Sequence, residues 1–118
     1  MVIEHDRTVQ LGERSLLVID EVLGDQVRGA GEHLLELQYI LGPAWCASSE
    51  MMSGKVVRCV ITGPKRLTLQ CESESLLTLS LRPAEISREY GATIAVNSIR
   101  IQSTACLPAK VQTRVQWD

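Results

Sequence analysis

The sequence has no phenylalanine, and its aromatic side chains are two Trp and two Tyr. So small a stock argues against a dedicated sugar-stacking module, because the same four rings must also serve the core. Two His and a single Asn, Asn97, complete a thin set of acid–base residue types. No run approaches the about 20 apolar residues that span a bilayer. The start, Met-Val-Ile-Glu-His-Asp, shows no basic region ahead of an apolar stretch, so no signal peptide is read. Basic excess is also lacking. The 12 Lys and Arg against 14 Asp and Glu give a net charge of −2, without the field a nucleic-acid partner requires. Nucleophile elbows, phosphate-cradling Gly loops and HExxH are absent. Cys46, Cys59, Cys71 and Cys106 show no zinc-ligand spacing. Neither cofactor nor metal is expected.

What is there fits one globular domain: 118 residues, 45% hydrophobic and 22% charged. The main signal is alternation with period two. Leu77, Leu79 and Leu81 alternate with Thr78, Ser80 and Arg82. Ile99, Ile101, Ser103, Ala105 and Leu107 alternate with Arg100, Gln102, Thr104 and Cys106. Val111, Thr113, Val115 and Trp117 alternate with Gln112, Arg114 and Gln116. Such strands have one wet face, as in antiparallel sheets. A hairpin is predicted over Val56–Thr62 and Leu67–Cys71 around Gly63-Pro64-Lys65. A second is predicted between Tyr90–Val96 and Ile99–Leu107, turning at Asn97-Ser98. Cys59 and Cys71 then face the core as reduced, small hydrophobes.

Ser15–Val22 reads as a strand covered on both faces. Glu32–Leu41 fits a strand with His33, Leu35, Leu37, Tyr39 and Leu41 on one side, although a helix would also align Leu34, Leu37 and Leu41. The β-rich surroundings favour the strand. Asp25–Gly31 reads as a loop. The total is nine or ten short strands, the pattern of an all-β antiparallel β-sandwich in a single domain over residues 1–118. The chain starts and ends close to strand-like runs, which suggests a piece of a longer chain.

Few residues carry chemistry by type. Asp20 with Glu21 point to opposite faces of a strand. Glu72 and Glu74 share a face, but nothing marks the cleft that paired-carboxyl chemistry needs. Both pairs read as solvated surface, and His5 as exposed. His33 reads as a packed, hydrogen-bonded histidine. Tyr90, near Arg88, reads as a structural hydroxyl, since base chemistry would need a depressed pKa. Trp117 has core parity, whereas Trp45 beside Pro43 is the ring with the better case for exposure. Charge is uneven: residues 1–50 carry 3 basic and 9 acidic groups, and residues 51–118 carry 9 and 5.

Several blocks occur in order. His5-Asp6-Arg7 precedes Leu17-Val18-Ile19-Asp20-Glu21-Val22, then Gly31-Glu32-His33 and Glu36-Leu37-Gln38-Tyr39-Ile40-Leu41-Gly42-Pro43. Ser87-Arg88-Glu89-Tyr90-Gly91 follows, then Leu107-Pro108 and Thr113. Across nearly the whole chain this resembles the C-terminal β-sandwich of heparinase II/III-like polysaccharide lyases. There an Arg-bearing strand precedes an l-x-v-x-D-x-v-x-G strand. A G-x-H-x-x-E segment then leads into f-H-l-x-P. Ile40 stands where that family usually has the His of f-H-l-x-P, which weakens any polar or metal role there.

The resemblance implies a larger bacterial enzyme with an N-terminal α/α toroid, cleaving uronic-acid-containing glycans such as glycosaminoglycans by β-elimination. In such lyases an Asn or basic residue neutralises the uronate, and a Tyr or His removes the C5 proton. Those residues lie mainly on the toroid and the earlier β region, so no catalytic residue carries over. The implied role is a non-catalytic module whose partner is the N-terminal catalytic domain of the parent chain. The alternative is an autonomous carbohydrate-binding module for an acidic polysaccharide. Its basic candidates are Lys55, Arg58, Lys65, Arg66, Arg100 and Arg114. Contacts to glycan or to the neighbouring domain are expected from His33, Trp45, Arg58, Arg66 and Tyr90. A bacterial periplasmic and a cytoplasmic setting both fit.

Overall fold

The computed structural model describes residues 3–24, 32–89, 91–106 and 108–118. The expected loop at Asp25–Gly31, Tyr90 and Leu107 lie outside the described residues. The described chain is all β. Its strands are β1 (Ile3–Leu11), β2 (Ser15–Gly24), β3 (Glu32–Ile40), β4 (Cys46–Met51), β5 (Ser53–Thr62), β6 (Arg66–Glu89), β7 (Ala92–Cys106) and β8 (Ala109–Trp117). Every described pairing is antiparallel.

The ladder folds back on itself as two facing layers. The wide layer runs β1-β2-β8-β6-β5-β4, and the narrow one is β3-β7 with the second half of β6. β6 belongs to both. Arg66–Ser73 lies between β5 and β8, and Leu77–Glu89 lies beside β7. Among the described residues β6 runs unbroken for 24 residues through two alternating stretches, each serving as a strand of its own in the ladder.

At the corner β6 changes partner, Leu77 pairing with Ser103 of β7 and Ser73 with Val111 of β8. On the other flank Gly54 pairs with Leu77 and Val56 with Glu72, a compression met by Gly54 at φ 137°.

The predicted hairpin at Gly63–Lys65 forms as β5–β6. The second does not form at Asn97-Ser98. β7 runs straight through these residues, and its partner is β6. Ser98 is buried there, its hydroxyl donating to the Arg82 carbonyl at 2.9 Å, while the Asn97 carbonyl accepts from Leu41 N–H. Those bonds remove the reason for a turn. The chain reverses instead beside Gly91, at φ 80°.

The core lies between the layers. Val57, Cys59, Ile61, Leu69, Cys71 and Val111 of the wide layer meet Leu77, Leu79, Ile99 and Ile101 of the narrow one. Burying each larger aliphatic side chain contributes about 1.5–3 kcal/mol. β3 alternates as the strand reading requires, with His33, Leu35, Leu37 and Tyr39 half-buried and Leu34 and Ile40 exposed.

Trp45, the ring with the better case for exposure, packs half-buried against this core. A Cβ on Gly63 would lie 2.5 Å from its ring and 2.8 Å from the Ala44 carbonyl. Neither ring nor backbone gives way easily. Gly63→Ala is therefore expected to cost about 1–3 kcal/mol, read as a lowered thermal midpoint; an unchanged midpoint would show that Trp45 is not held there.

Candidate functional site

The densest polar constellation joins strands far apart in sequence. Register sets Arg7 of β1 opposite Asp20 of β2, with His5 one pleat further along on the same face. Arg7 Nε donates to Asp20 Oδ1 at 2.7 Å, and Nη2 reaches Oδ2 at 3.4 Å. His5 Nε2 lies 2.8 Å from the same Oδ1. Asp20 is 2% exposed, while the Arg7 and His5 side chains are 46% and 49% exposed. The solvated-surface expectation for Asp20 is thus overturned. The missed signal was its parity, shared with Val18 and Val22 and therefore inward.

Beside it, Tyr39 of β3 reaches across the layers and donates to Thr113 Oγ1 at 3.1 Å. The Cys71 thiol is 3.4 Å from that oxygen. Burial raises the Tyr39 pKa, the bond to Thr113 opposes the rise, and the charge of Asp20 adds to it. A phenol held protonated in this way is poorly suited to removing a proton. Asp20 is committed to two cationic or potentially cationic partners. The geometry is that of a polar rivet between β1, β2, β3 and β8.

Burial pushes the Cys71 thiol up to about 11, and that of Cys59 likewise, from an ordinary value of 9.0. Both are free, as are the exposed Cys46 and Cys106. A thiol whose pKa is raised on folding favours the native state below the unfolded value. That contribution is lost as pH climbs through the folded value. Stability is therefore expected to fall between pH 9 and about 11. A thermal midpoint that holds level across that window would contradict the burial of these thiols. In the native state a thiol reagent is expected to label Cys46 and Cys106 alone, and all four only after unfolding.

The expected contact residues are dispersed. His33 sits half-buried on the inner side of β3, and among the described residues its buried Nε2 has no hydrogen-bond partner. Arg58 lies on the outer face of the wide layer, held by Gln70 Oε1 at 2.6 Å from Nη2, with Gln70 donating in turn to Glu72. Arg100 is on the narrow layer, its Nε 2.6 Å from Glu36 Oε1. Arg66 and the half-buried Trp117 line a recess of about 300 Å³ at the sheet end. Tyr90 is outside the described residues.

Glu72 and Glu74 do border a hollow, of about 1000 Å³ at the corner. Lys55, Lys110, Glu21 and Glu32 share its wall, so its charge is mixed. Among the described residues no three His, Cys, Asp or Glu side chains gather as metal ligands. No described helix is long and apolar enough to cross a membrane. The chain matches no protein-family model, and no curated protein or solved structure matches it.

Proposed function

We propose that this chain is a non-catalytic β-sandwich module of the heparinase II/III-like kind. It packs against the catalytic domain of a polysaccharide lyase and forms one wall of its glycan cleft. One observation carries the reading: four of the ordered blocks that bear the resemblance are joined in pairs. Arg7 of the first block bonds Asp20 of the second, and Tyr39 of the fourth bonds Thr113 of the last. A physical reason for retaining those residues together is that they rivet the strands. Within the rivet Asp20 is ion-paired and burial raises the pKa of Tyr39, so neither is a free base. That suits a wall better than a reaction centre.

The binding-module alternative is less well supported. Arg58 and Arg114 lie on one outer face and Arg100 on the other layer, paired with Glu36. Lys55 stands in a hollow with more acids than bases. Register sets Arg58, Arg66 and Arg114 on one outer face, with Lys55 and Arg100 elsewhere, so these candidates do not share one groove. Titrating the chain with heparin and with alginate at low and high salt separates the readings. The wall reading predicts no saturable binding at either salt. Binding at low salt that high salt abolishes would replace it with the binding-module reading.

A further inference from the structure

We draw no further inference here: the strongest candidate, the hollow of about 1000 Å³ at the corner of the ladder, where Glu21, Glu32, Glu72 and Glu74 stand with Lys55 and Lys110, is a cluster of acidic side chains of mixed surroundings, and nothing in the structure shows what would occupy it.

Discussion

Arg7→Ala is expected to destabilise the fold by about 2–3 kcal/mol, even though the side chain removed is nearly half exposed. The cost arises at its partner. Asp20 is buried, and without the guanidinium its charge keeps only His5. Stranding a buried charge costs about 3–5 kcal/mol when no water can reach it. The figure here is lower because the vacated Arg7 site opens to solvent. Arg7→Lys should fall between wild type and Arg7→Ala, since an ammonium keeps the charge but loses the two-point grip. The diagnostic comparison is the double variant Arg7→Ala with Asp20→Asn. If charge stranding dominates, the double variant recovers part of the loss. Denaturant unfolding reads all of these, and a double variant with strictly additive losses would refute the rivet.

Leu79→Ala is expected to be at least as damaging, at about 3–4 kcal/mol. Leu79 is fully buried among Leu77, Ile99 and Ile101, where the narrow layer meets the wide one. Its backbone N–H also donates to the Met52 carbonyl beside the corner, so collapse around the missing atoms would strain that bond. The thermal midpoint should drop by roughly 10–15 °C for a domain of this size. Leu76→Ala, three residues earlier but exposed, should change it by less than about 0.5 kcal/mol in equivalent stability. Equal effects at the two positions would mean that the layers do not face each other as described.

The alternation of β3, β5, β7 and β8 was legible in the sequence because each has one wet face, and period two then names the inner residues. β3 shows this most clearly, since Leu34 and Ile40 break the pattern and are indeed exposed. Less legible was anything decided by contacts between distant strands. Leu67–Cys71 and the alternation from Leu77 read as separate strands, yet β6 continues from one to the other and changes partner from β8 to β7. Asn97-Ser98 has turn chemistry, but the Arg82 carbonyl and the Leu41 N–H take up its polar groups within a strand. The hollow beside Glu72 and Glu74 exists only because the corner of the ladder brings the two halves together. The Asp20 rivet needed the β1–β2 register, which no single strand reveals.

The wall reading stands or falls on whether this chain performs elimination by itself. The direct measurement is the ultraviolet absorbance of the unsaturated uronate when the purified chain is incubated with heparin, heparan sulfate and alginate. The account predicts no rise, from mildly acidic to mildly alkaline pH. A rise that Tyr39→Phe or His5→Ala abolishes, in a variant still folded, would contradict it and make the polar rivet a reaction centre.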